Sequence, residues 1–272
     1  MAEAPVVIRP ARPGISLREA AEYRDLLYYL VRRDLVVRYV QTVLGFGWAI
    51  LQPLVTVGIF TVFFGRLAEV DSQGVPYALF SLTAIVPWTY FAGGLTLAAT
   101  SIAGNFTLLT KVYFPRLFLP LSPLLAAIVD FLIAGAILGI VLGATGRVPE
   151  LEALALPVLV VIMLAATLGI GLLLASLGAR YRDVRYATPF LVQLLLFLSP
   201  VIYAADVVPE PWRYVYALNP MVGVIEGFRA SLLGTTAFPW ELVGIGAASS
   251  LVLLALGVRV FSRTARYFAD LA

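Results

Sequence analysis

The sequence predicts an all-α, polytopic integral membrane protein with six transmembrane helices, an N-terminal amphipathic interface helix and an outer re-entrant helical hairpin. Hydrophobic residues fill 61% of the 272 positions and charged residues 13%, with a mean hydropathy of +0.95, a balance that no soluble globular domain sustains. The apolar runs are each about 20 residues or longer without alternating polar positions, which suits helices and not an outer-membrane barrel. One apolar stretch, 199–234, is broken by Pro200, Pro209, Pro211 and Pro220 too often for a single spanning helix. Two short re-entrant helices fit it better, and irregular backbone at membrane depth is tolerated only inside protein or beside a water-filled cavity.

Taken in order, residues 1–15 carry Pro5, Pro10, Pro13 and Gly14 and read as a flexible leader; no apolar core follows a basic start, so no cleaved signal is expected. Ser16 and Glu19 have capping-box spacing, so a helix is expected over 17–40. Arg18, Glu22, Asp25, Arg32 and Arg33 gather on one side of it. Leu17, Ala20, Leu27, Leu30, Val31 and Leu35 take the other, the pattern of a helix lying along the membrane surface. Residues 1–42 thus form a cytoplasmic leader and interface helix, and 43–272 the membrane domain. Its spans are expected at about 43–64, 76–103, 117–143, 154–178, 186–203 and 240–260. Gly45 and Gly47 permit a bend or close approach where the first begins, and Pro87 a kink within the second. The outer hairpin occupies about 205–234, with helices over 209–218 and 222–233 broken at Asn219-Pro220.

Orientation follows from the basic residues. Of the 19, seven precede the first span, two (Lys111, Arg116) follow the second, three (Arg180, Arg182, Arg185) follow the fourth, and three follow the sixth. The opposite side holds only Arg66, Arg147, Arg213 and Arg229, which places both termini in the cytoplasm and the hairpin outside.

Several residues could carry chemistry. The loop 105–116 holds the chain's one lysine and reads either as a short helix shown to a partner or as a connector meeting anionic headgroups; Arg180–Arg185 reads first as a basic anchor. Asp130 lies near the centre of the third span without a basic neighbour in sequence, so it is either functional or hydrogen-bonded to an adjacent helix. Glu226 and Arg229, three apart on one helix, can pair on one face as a structural pair. Glu241 reads as a solvated residue. Trp88, Tyr90 and Phe91 sit beside Pro87, away from the interfaces that aromatics favour, and read as packing or as the lining of a passage that Phe60, Phe63, Phe64 and Tyr203 extend.

The missing residues narrow the function. Without cysteine or histidine there are no disulfides, thiolate metal sites or imidazole proton shuttles, and no metal site is expected. The lysine is followed by valine, so there is no P-loop, and neither G-x-S-x-G nor H-E-x-x-H occurs. A membrane glycosyl- or acyltransferase would need paired acids or a histidine near the surface. A self-sufficient channel or ion-coupled carrier would use Asp130 as its proton or cation site, but shows no repeat between halves.

The segments RYVQTVLGFGWAILQPL, GNFTLLTKVYFPRLFLPL, GARYRDVRYATPF and LNPMVGVIEGFRASLLG, in this order and on these sides, resemble the permease subunit of type-2 ABC transporters that export polysaccharides and polyol phosphates such as O-antigen and teichoic acid. The resemblance covers nearly the whole chain. It implies a multi-pass protein of the bacterial inner membrane, not itself an enzyme, that forms a homodimeric channel for a lipid-linked glycan among membrane lipids, with no role for nucleic acid. Two separate ATPase subunits, which bind ATP and Mg, would dock from the cytoplasm. Asn105, Phe106, Lys111, Tyr113 and Arg116 would belong to the coupling helix they receive, with Arg180, Arg182 and Arg185 a further contact. Phe60, Phe64, Trp88, Tyr90, Phe91 and Tyr203 would be channel-lining candidates, and Asp130, Glu226, Arg229, Asn219 and Pro220 structural or gating ones. Exporters of small amphiphiles or drugs share much of this layout.

Overall fold

A computed structural model describes residues 21–40, 42–111, 114–147 and 151–265. Among them are ten α-helices and no strand. We number them α1 (Arg24–Tyr39), α2 (Gly47–Phe60), α3 (Tyr77–Ser101), α4 (Phe106–Lys111), α5 (Phe118–Ala144), α6 (Leu156–Arg180), α7 (Val184–Phe197), α8 (Glu210–Ala217), α9 (Pro220–Leu233) and α10 (Trp240–Thr264). The leader, the capping pair Ser16–Glu19, Tyr113 and Arg266 lie outside the described residues.

Five helices are long and apolar enough to cross a membrane: α2 with its π-helical continuation to Leu67, α3, α5, α6 with the preceding turn from Leu151, and α10. The expected fifth span is different. α7 has 14 residues and reaches about 21 Å at 1.5 Å per residue, short of a hydrocarbon core about 30 Å thick. Pro200 and the turn that follows Phe197 end it.

The expected hairpin helices are present as α8 and α9. Asn219 caps α9 by accepting from the Met221 amide, Pro220 supplies the first helical residue, and Gly234 closes it at φ 62°. Gly45 likewise takes φ 51° in the turn before α2, the bend its position suggests.

α3 is the central helix, packed by α2, α5, α6, α7 and α9. It is buried on nearly every side although Ser81, Thr83 and Ser101 interrupt its apolar run, because each hydroxyl donates to a carbonyl three residues back. Glycines let the helices around it close up. A Cβ on Gly257 of α10 would stand 2.3 Å from the Gly169 oxygen of α6, so these two backbones touch directly.

Two apolar clusters result. The larger surrounds α3 and reaches α9. The smaller gathers Leu30 of α1, Ile102, Phe118 and Leu119 of α5, Leu172 and Ala175 of α6 and Phe261 of α10. That cluster marks one end of the bundle, shared by α1, the 103–111 segment and the last turns of α6 and α10. The two helices α8 and α9 occupy the other end, where α3, α6 and α10 begin.

Candidate functional site

The 103–111 segment turns through Ala103–Asn105 into α4. Phe106, Leu108 and Leu109 pack on the smaller cluster beside Tyr23, which precedes α1, and Leu26 and Leu27 of α1. Asn105 is fixed from both ends: its amide donates to the Ser101 carbonyl at 2.8 Å, and its oxygen accepts from Arg33 at 3.0 Å. Arg33 also pairs with Asp34 at 2.9 Å, and Asp34 accepts from Ser122 of α5 at 2.6 Å. One turn further, Arg38 pairs with Asp130 of α5. Polar contacts thus run from the segment through α1 to Ser122 near the start of α5, and the Arg38–Asp130 pair is a separate contact one turn further along α1. The contacts at Ser122 and Asp130 are eight residues apart, about 12 Å along the helix, and lay α1 along the first half of α5.

Asp130 faces a cavity of about 780 Å³ bounded by α2, α3, α5, the end of α1 and Val192 of α7. Its wall is mixed: Trp48, Tyr90 and Phe131 give aromatic faces, and Gln52, Thr89 and Thr96 give hydrogen-bonding groups around the ion pair. Asp130 Oδ1 is buried without a hydrogen-bond partner. The Tyr90 hydroxyl donates to the Leu124 carbonyl at 3.2 Å, so its polar tip is satisfied while its ring faces the space. The arrangement can receive a ligand that has both apolar faces and hydroxyls or charges.

The second ion pair has no such opening. Arg229 is 0% exposed and holds Glu226 at 2.8 Å within α9. It also donates to the Tyr203 and Val201 carbonyls at 3.1 and 3.0 Å and lies 3.6 Å over the Phe80 ring. Glu226 accepts from the Ala205 amide at 3.0 Å. The pair therefore pins the irregular stretch 199–205 to α9 and α3. Asn219 adds to this by donating to Leu198 and Ser199.

The remaining candidates divide by exposure. Lys111, Arg180, Arg182 and Arg185 are exposed and Arg116 half-buried. Trp88 and Phe91 are buried in the large cluster and are not part of the cavity wall; Phe60 and Phe64, half-buried, pack edge to face on each other against that same cluster and do not line the cavity either. Tyr203 donates to the Phe197 carbonyl at 2.7 Å.

The sequence profile of the ABC-2 type transporter family matches residues 25–233, three quarters of the chain. The chain belongs to that family. The match takes in α1, the 103–111 segment, the cavity and the hairpin. Among curated relatives, the O-antigen export system permease protein RfbA of Myxococcus xanthus is 30% identical over 93% of this chain and 98% of its own length. RfbA of Klebsiella pneumoniae is 26% identical over 91% and 95%. The polysialic acid transport protein KpsM of Escherichia coli is 23% identical over 85% and 90%.

In this ABC-2 family member, sequence reasoning found Asp130 but not its partner. By sequence Arg38 is one of seven basic residues that set orientation, although an unpaired intramembrane carboxylate demands a cation and Arg38 is the last one before the first span. Gln52, Thr89 and Thr96 carried no signal, because isolated polar residues in an apolar run do not reveal which share a face of a cavity. Glu241 is exposed, as expected of a solvated residue, and borders a groove with Glu210 and Arg213.

Proposed function

We propose that the chain is the permease of an ATP-driven polysaccharide exporter, and that the cavity at Asp130 belongs to its translocation path. Family membership together with relatives named as polysaccharide-export permeases, matched over some nine tenths of their length, carries this reading. On it, two copies form the channel for a lipid-linked glycan. Each makes six crossings with α7 and the irregular residues after it as the fifth, and both termini lie in the cytoplasm. Trp88, Phe91, Phe60, Phe64 and Tyr203 stand behind the path, and Tyr90 faces it.

Separate ATPase subunits would receive the 103–111 segment, with Lys111, Arg116, Arg180, Arg182 and Arg185 as their contacts. The Asn105–Arg33 contact and the packing of Leu108 and Leu109 beside Leu26 and Leu27 support this, because they tie the segment to α1, whose last turn carries Arg38 to the cavity. Coupling between distant sites needs such rigid, contiguous contacts. An ion-coupled carrier is disfavoured by Arg38, which occupies the carboxylate such a carrier would leave bare.

The test replaces Lys111 by Glu, and separately Phe106 by Ala, in cells carrying the partner ATPase. Polymer at the cell surface should fall while ATP hydrolysis by the purified complex continues uncoupled. Unchanged export in both variants would overturn the assignment of the coupling segment.

A further inference from the structure

A second recess lies at the opposite end of the bundle from the coupling segment. Glu210, Arg213 and Tyr214 share one face of α8, at i, i+3 and i+4. Opposite them Phe238, Trp240 and Glu241 lead into α10, and a groove of about 620 Å³ separates the two walls. Trp240 is 70% exposed, yet its ring is propped by the buried Phe238, with centroids 4.4 Å apart. Tyr214 is 58% exposed.

The three charges around this space are unspent. Glu210, Arg213 and Glu241 enter no ion pair among the described residues, and Arg213 Nε is buried with no hydrogen-bond partner. An interfacial belt accounts for aromatic rings turned to lipid. It does not account for a propped tryptophan, a facing tyrosine and three unpaired charges converging on one groove.

An aromatic face flanked by carboxylate acceptors and a guanidinium donor fork matches a sugar ring, whose C–H face lies on indole while its hydroxyls bridge carboxylate and guanidinium. A purely cationic ligand would meet Arg213, and a purely anionic one two carboxylates; a neutral polyhydroxyl ligand satisfies both signs. The volume lies within the range of small-molecule sites. We infer that this groove is a saccharide-binding subsite, contacted by the glycan as it leaves the channel. It rests on the export reading above.

The test uses the full chain in its own cells, with its ATPase and polymer synthesis intact. A photo-crosslinking phenylalanine analogue is placed at Tyr214 and, in a separate strain, at Gln52 in the cavity. Irradiation during export should give glycan adducts at both positions. Trp240→Ala and Arg213→Gln should each cut the Tyr214 adduct by about tenfold, the loss of one well-formed contact, at unchanged protein level and with the Gln52 adduct intact. Glycan captured at Gln52 alone, or lipid or protein captured at Tyr214 in its place, overturns the subsite and leaves the export reading standing. A Tyr214 adduct indifferent to both substitutions overturns the assigned contacts. No glycan at either position in cells that make the polymer overturns the export reading and the subsite with it.

Discussion

Arg229 and Arg38 each hold a carboxylate inside the helical body, one within a single helix and the other between two helices 92 residues apart in sequence. Arg229–Glu226 is sealed: both partners have further hydrogen bonds to backbone, and an aromatic ring covers the guanidinium. Arg38–Asp130 is open to a cavity, both side chains are about a quarter exposed or more, and α1 contributes only one side of it. A sealed pair stabilises one arrangement because any separation strands a charge. An open pair between two elements can exchange partners at low cost, which suits a part that moves.

The largest effect should come from the sealed pair. Arg229→Ala strands Glu226 and should cost about 3–5 kcal/mol, read as a lower unfolding midpoint in detergent; the double change Glu226→Leu with Arg229→Met should recover much of it. A silent Arg229→Ala would remove the distinction between the two pairs. Next, Asp130→Asn should cost about 1.5 kcal/mol in the same assay while abolishing most export. Export should partly return when Arg38→Asp is combined with Asp130→Arg. Equal loss of stability from Asp130→Asn and Arg229→Ala would make both pairs structural. The smallest effect belongs to Arg33→Ala, which breaks an exposed contact worth about 0.5 kcal/mol and should lower export with ATP hydrolysis retained.

The elements were legible in the sequence and their arrangement was not. Apolar length announces α2, α3, α5, α6 and α10, and the Asn219-Pro220 break with Gly234 announces α9, since caps and prolines act locally. Which helix lies at the centre is hidden: α3 is the least apolar of the five long helices yet the most buried. Lipid is as apolar as leucine, so outer helices need uniform apolar faces, whereas a central one accommodates serine, threonine and tyrosine once neighbours satisfy them. Hydropathy therefore marks membrane and says little about depth in the bundle. For the candidate site, Asp130 stood out by its charge, but Arg38 was hidden among seven basic residues before the first span. Pairing between residues so far apart depends on how α1 lies on α5, which no local pattern encodes.

If α1 carries motion from the 103–111 segment to the cavity, fastening it to α5 should stop export. Because the chain has no cysteine, Asp34→Cys with Ser122→Cys gives the only two thiols, and a short reducible crosslinker between them fastens α1 to α5. With the pair exporting before crosslinking, the bridged protein should keep its ATPase bound and hydrolysing but stop exporting polymer, and reduction should restore export. Export by the bridged protein at the unbridged rate would mean that α1 does not carry that motion.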